Sequence, residues 1–166
     1  MSSSSITSGL TTESVTAVRR ATAADAADLG RLLHDFNSEF SSPTPGVETL
    51  AERIAGFIER DEATFLLVGA GPDGLAEIRY RPTLYSDGLD ANLEELYVVP
   101  GRRGQGLGRA LLEAAMETAR EEGATRMDLG TSEDDKAARA LYESAGFTDR
   151  EGEPDGPQML YYEREL

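Results

Sequence analysis

LEELYVVPGRRGQGLGRALL, residues 93–112, carries three patterns in succession. Leu96, Tyr97, Val98 and Val99 form an apolar, β-branched run that stops at Pro100, as a strand does. Arg102, Arg103, Gly104, Gln105, Gly106 and Gly108 then make a glycine-studded turn. From Leu107 on, apolar residues recur at helical spacing (Leu111, Leu112, Ala115, Met116, Ala119), so a helix follows, from about Gly106 to Glu122. Glycines let such a turn approach a ligand and adopt positive φ. The first N–H groups of the helix lack intrahelical partners and carry the positive end of the dipole. With Arg102, Arg103 and Arg109 beside them, the turn suits a phosphate or diphosphate. The competing reading is a tight connection with solvated arginines.

Two common phosphate loops fail on residue identity. A Walker loop ends in Gly-Lys-Ser/Thr, and the only lysine is Lys136. The dinucleotide fingerprint G-x-G-x-x-G finds Arg109 in its last place when begun at Gly104, and Leu111 when begun at Gly106. What remains is Arg103-x-x-Gly106-x-Gly108 after a Val-Val-Pro strand end. Downstream stands Ala138-Arg-Ala-Leu141-Tyr142-Glu-Ser-Ala-Gly146-Phe147.

On these two segments the chain resembles the GNAT superfamily of acyl-CoA-dependent N-acetyltransferases, whose patterns are Q/R-x-x-G-x-G/A and A-x-x-L-Y-x-x-x-G-F. The resemblance covers roughly Val15 to the C-terminus. It implies a mixed α/β fold, a central mixed sheet of about six to seven strands flanked by four helices. It implies acetyl-CoA as cosubstrate, held by the turn through Arg103, Gly104, Gln105, Gly106, Leu107, Gly108 and Arg109. The pantetheine arm would pair with the main chain at Leu96, Tyr97 and Val98, because that strand parts from the next in this family. Asp135 stands where many members have Asn, so it and Ala138 are expected only as cofactor contacts.

The resemblance also assigns chemistry. Tyr142 would be the general acid, since a phenol of pKa ~10 stays protonated and can donate to a thiolate of pKa ~8.5. The packing alternative is a ring lying beside Leu141 and Phe147. Glu94 and Glu95 are unusual in so apolar a strand, and a carboxylate there needs a cavity or a partner. Only one can face the acceptor, because successive residues point to opposite faces. The local text is similar to the spermidine/spermine acetyltransferase branch, where the first acidic residue is the proposed base, which matches Glu94. A free Glu of pKa ~4.3 takes a proton from an ammonium poorly, so it would act through water or attract the cation.

The remaining chain supplies bounds. At 166 residues one domain is expected, residues 15–166, after a Ser/Thr-rich tail over residues 1–14 that reads as disordered. With no cysteine, disulfides, thiolate metal sites and a Cys-acyl intermediate are excluded. No G-x-S-x-G is present, so direct attack in a ternary complex is the simpler route. His34 is the only histidine, which argues against a His-based metal site. The net charge of −15 repels nucleic acid and anionic membrane and suits a cationic partner, although solubility or a salty cytoplasm is the favoured explanation of the acidity. No secretory signal or spanning stretch is visible, so a cytoplasmic protein is the default.

In chain order the expected elements are a strand at Val15–Arg20 and a helix from about Asp25 to Phe40. A second helix carries Val47, Leu50, Ile54, Phe57 and Ile58. Strands follow at Thr64–Val68 and Leu75–Tyr80 about an AGPDG hairpin, then a polar loop from Pro82 to Asn92. After the central segment come a strand at Arg126–Leu129, a helix to Ala145, a strand from Phe147 and a terminal strand at Gln158–Leu166. By resemblance the first two helices wall the acceptor pocket, so Phe36, Glu39 and Phe40 are candidate contacts. The acceptor is expected to be a small-molecule amine, possibly polycationic, or a peptide amine. Relatives often pair through C-terminal strands, which allows a homodimer. A non-catalytic acyl-CoA sensor and a nucleotide-binding domain are the alternatives.

Overall fold

The computed structural model describes residues 16–166. The expected tail and Val15 therefore lie outside the described residues. Five strands form one sheet in the order β1 (Val18–Arg20), β2 (Thr64–Val68), β3 (Gly74–Pro82), β4 (Leu89–Val98) and β5 (Ala124–Leu129). All neighbours are antiparallel except β4 and β5, which run parallel. Among the described residues the α-helices are α1 (Ala26–Glu39), α2 (Val47–Glu59), α3 (Leu107–Glu121) and α4 (Lys136–Ser144).

Side-chain alternation along the strands divides the core in two. On β2, whose five residues are all buried, Phe65 and Leu67 face one way and Leu66 and Val68 the other. The first pair packs with Leu29, Leu32, Leu33 and Ile54 of α1 and α2. The second packs with Leu107, Leu111, Leu112, Ala115 and Ala119 of α3. A strand covered on both faces reads as an unbroken apolar run, which is why TFLLV lacks alternation.

Two expectations are corrected. The loop expected at Pro82–Asn92 is shorter, because β3 runs to Pro82 and β4 begins at Leu89. Its Asp90 stays in the strand by pairing, with Arg126 at 3.0 Å and Arg81 at 3.6 Å. The second correction is strand number, five rather than six to seven among the described residues. Neither Phe147 nor Gln158–Leu166 enters a ladder. The Phe147 N–H is spent on the Tyr142 carbonyl at 3.0 Å, so the chain leaves α4 through a cap rather than a strand. The segment about Glu151–Pro157 closes as a turn held by an Arg150–Gln158 bridge and by bonds from Glu151 N–H to the Pro157 carbonyl, 2.9 Å, and from Met159 N–H to the Asp149 carbonyl, 2.8 Å. Apolar residues fall consecutively at Met159–Tyr162, so no one face of a strand would collect them, and all four are more than half exposed.

The two helices over one face cross at a glycine. A Cβ on Gly30 would lie 2.7 Å from the Val47 carbonyl oxygen and 2.9 Å from the Ala51 nitrogen, both backbone atoms of α2. Gly30→Ala ordinarily gains about 1 kcal/mol of helix propensity. Here overpacking dominates, and a net loss of about 1–2 kcal/mol is expected in urea unfolding. A stabilised variant would mean that the crossing is looser than described.

Candidate active site

The site begins where β4 and β5 separate. Their register runs from Leu89–Ala124 to Leu93–Leu129 and ends there. On its other side β4 stays paired with β3 as far as Val98–Gly74. At the parting β4 carries an extra residue: Leu93 faces Ile78 and Glu95 faces Glu77, leaving Glu94 as a bulge. Val99 N–H donates to the Asp73 carbonyl at 2.9 Å. Alternation from that bond directs the main-chain groups of Tyr97 to β3 and those of Leu96 and Val98 into the gap.

A cleft of about 670 Å³ fills this gap, and a 240 Å³ recess adjoins it. The cleft runs from Gly104, Leu107 and Gly108 past Leu96 and Val98 to Ala138, Leu141 and Tyr142. The recess is lined by Glu94, Glu95, Gly130 and Thr131. Phe36, Phe40 and Tyr142 border both. Phe36 stands edge-on to Phe40, centroids 5.2 Å apart, and 5.2 Å from the Tyr97 ring, which makes an aromatic wall.

At the cleft's other end Gly104 and Gly106 take φ of +73° and +84°, and Gly106 precedes α3. A Cβ at either would meet nothing within 4 Å, so backbone conformation rather than packing calls for glycine there, and the outer side of the turn is open. The first intrahelical bond runs from Ala110 N–H to the Gly106 carbonyl, 3.0 Å. The N–H groups of Leu107, Gly108 and Arg109 precede it and have no helical acceptor. This open cradle of donors fits a diphosphate.

The comparisons with known proteins agree with that geometry. The family described as Acetyltransferase (GNAT) family matches residues 29–147. This chain belongs to the GNAT family. A crystal structure of a protein from Arthrobacter sp. FB24 superimposes with a TM-score of 0.84 at 46% identity, covering 92% of this chain and 97% of that one. Aminoglycoside N(6')-acetyltransferase type 1 of Klebsiella aerogenes is 37% identical over 107 residues, 60% of this chain and 68% of that protein. Mycothiol acetyltransferase of Beutenbergia cavernae is 45% identical over 62 residues, 36% of this chain and only 21% of that longer protein. Membership makes the chain an acetyltransferase domain, and no helix among its described residues is long and apolar enough to cross a membrane.

Within this GNAT domain the arginines of the turn are dispersed. Arg103 forms a fork on Glu39 at the end of α1, 2.7 Å to each oxygen, while its Nε donates to the Val98 carbonyl at 2.9 Å. The same guanidinium holds the Glu39 carboxyl below its ordinary value. Arg102 approaches Asp73 at 3.5 Å, and Arg109 donates to the Ser144 hydroxyl at 3.0 Å. Glu39 and Asp73 offset the charges of Arg103 and Arg102, so positive character at the turn comes from main-chain donors and from Arg109, whose hydroxyl partner is neutral. Gln105 is exposed, its amide 3.5 Å from the Gly101 carbonyl.

Asp135 accepts from Ala138 N–H at 2.9 Å and so caps α4; both residues border the cleft. His34 faces Thr44 at 3.3 Å and borders neither cavity. The two acidic residues of β4 differ sharply. Glu94 is exposed on the bulge, whereas Glu95 is half-buried. Burial, then Glu77 and Glu94, push the Glu95 carboxyl up to about 7. Burial, then Asp135 and Glu95, push the Tyr142 phenol up to about 12. Sequence reasoning passed over Glu77, although a lone acid within the apolar text LAEI was the same signal that singled out Glu94 and Glu95.

Gly106→Val is expected to weaken CoA binding at least tenfold by calorimetry, since it obstructs the cradle and strains a positive φ. Gly101→Ala, where a Cβ also meets nothing and φ is ordinary, should leave affinity unchanged. Equal affinity in the two variants would contradict the cradle.

Proposed function

We propose that this domain transfers the acetyl group of acetyl-CoA to a primary amine of a small cationic molecule, by direct attack in a ternary complex. Acetyl-CoA supplies the activated acetyl thioester. Main-chain N–H groups of Gly104–Arg109 hold its diphosphate, and the main-chain groups of Leu96 and the Val98 N–H, which face the gap, receive the pantetheine arm, the Val98 carbonyl being taken by Arg103. An N–H in that gap polarises the thioester carbonyl without any reorganisation. Tyr97 contributes through its ring, which backs the aromatic wall, rather than through main-chain pairing. The relatives' names, aminoglycoside N(6')-acetyltransferase and mycothiol acetyltransferase, both refer to small molecules and favour one here over a peptide.

The observation that carries this reading is the pair Glu95 and Tyr142 bordering one recess, the carboxyl lifted to about 7 and the phenol kept protonated by its burial. A carboxylate near 7 takes a proton from an ammonium far better than an ordinary Glu, directly or through water. We therefore move the base role from Glu94 to Glu95 and leave exposed Glu94 to attract the cation. The amine nitrogen, freed of its first proton, bonds to the acetyl carbon as the carbon–sulfur bond breaks, and the second proton it must shed to become an amide passes to water. Tyr142 gives its proton to the leaving sulfur and recovers one from solvent.

Thiol release from acetyl-CoA with a panel of polyamines and aminoglycosides tests this. Tyr142→Phe is expected to lower kcat about a hundredfold with CoA affinity nearly intact. Loss of affinity with no separate effect on rate would make Tyr142 a packing residue. For the base, kcat/KM should rise with pH through a limb near 7, because Glu95 accepts a proton only when ionised. Glu95→Gln should abolish the limb while Glu94→Gln mainly raises the acceptor KM. Binding of CoA with no turnover on any amine would favour a sensor instead.

A further inference from the structure

Glu77 is buried at 5% exposure on β3, directly across from Glu95 at the bulge. A cross-strand pair of carboxylates is a costly arrangement, since like charges face each other a few ångströms apart. Its neighbour Arg79 turns to Glu77 rather than to Glu95. The Arg79 Nε and Nη2 both reach Glu77 Oε1, at 2.9 and 2.8 Å, and its guanidinium lies 4.5 Å over the Phe57 ring of α2. Glu77 thus occupies an arginine two residues away on its own strand, and Phe57 holds that arginine in place.

The consequence falls on the base. An arginine beside Glu95 would fix it as a permanently ionised, weakly basic carboxylate. We infer that Glu77, clamped by Arg79, is a positioning residue that keeps the cation off Glu95 and presents it with a like charge. This rests on the assignment of Glu95 as base. The charged and titratable groups around Glu95 are Glu77 and Arg79 from β3, Glu94 from β4, and Tyr142 with the capping Asp135 from α4. The Glu39–Arg103 pair stands at the cleft. Burial raises the Glu77 carboxyl, opposed by Arg79, while Glu77 in turn raises Glu95.

The test reads Glu95 directly, through the ¹³C shift of its carboxyl followed across the neutral range and assigned by its disappearance in Glu95→Gln. In Glu77→Gln the midpoint should fall by on the order of one pH unit, because a like charge is lost and Arg79 is released. The double variant Glu77→Gln/Arg79→Gln removes both charges, leaves no unpaired buried ion, and should fall less. Glu77→Asp, which keeps the charge, should stay closest to the parent. The kcat/KM limb should move in the same order. A midpoint that does not move in the single and double variants overturns the inference. If midpoints shift as stated but the rate limb is indifferent to Glu95→Gln, the base assignment fails and the positioning role stands.

Discussion

The separation of β4 from β5 beyond Leu93 and Leu129 is the constraint on which the site depends. Backbone donors and acceptors buried in a sheet are paired as a rule, and a strand interior seldom exposes them. Here β4 keeps its partner on one side and loses it on the other, so Leu96 and Val98 present polar main-chain groups to a cleft. The Glu94 bulge sits at the same point and resets which residue faces which. From the parting, β5 leads through Gly130 to the cap of α4, which brings Tyr142 to the gap from the far side. One topological event therefore sets the cleft, Tyr142 and Glu95 side by side.

Electrostatics follow the same economy. The chain is strongly acidic, yet its cleft gathers anion-binding capacity at one end and carboxylates at the other. The first end relies on oriented N–H groups, while the nearby arginines are engaged with Glu39, Asp73 and Ser144. Arg103 in particular ties the turn to α1 and so links the cradle to the aromatic wall. The second end isolates Glu95 from cations, and burial then does the rest. An acetyl carrier that is anionic and an acceptor that is cationic would each meet complementary charge.

The turn, the strand before it and the helix bearing Tyr142 were legible because their signals are local. Positive φ at Gly104 and Gly106 and helix periodicity from Leu107 depend on a few consecutive residues. Glu77 facing Glu95 was not legible, because cross-strand register depends on a bulge that no short segment encodes. Nor could Arg103 be assigned to Glu39, a residue brought close only by the docking of α1. At Leu89–Asn92 polar residues suggested a loop, whereas ion pairs across β4 and β5 retain them in strands. The C-terminal text has strand-like composition, but composition alone supplies no neighbouring edge to pair with.

The claim beneath all of this is that the cofactor's diphosphate lies on main-chain donors of the turn between Val99 and α3, with its arm in the gap beside β4. A crystal structure of the complex with acetyl-CoA tests it most directly. The account predicts diphosphate oxygens within hydrogen-bonding distance of N–H groups in Gly104–Arg109 and the pantetheine amides bonded to Leu96 or Val98. A cofactor bound with its diphosphate away from that turn, or with β4 and β5 closed against each other, would contradict it.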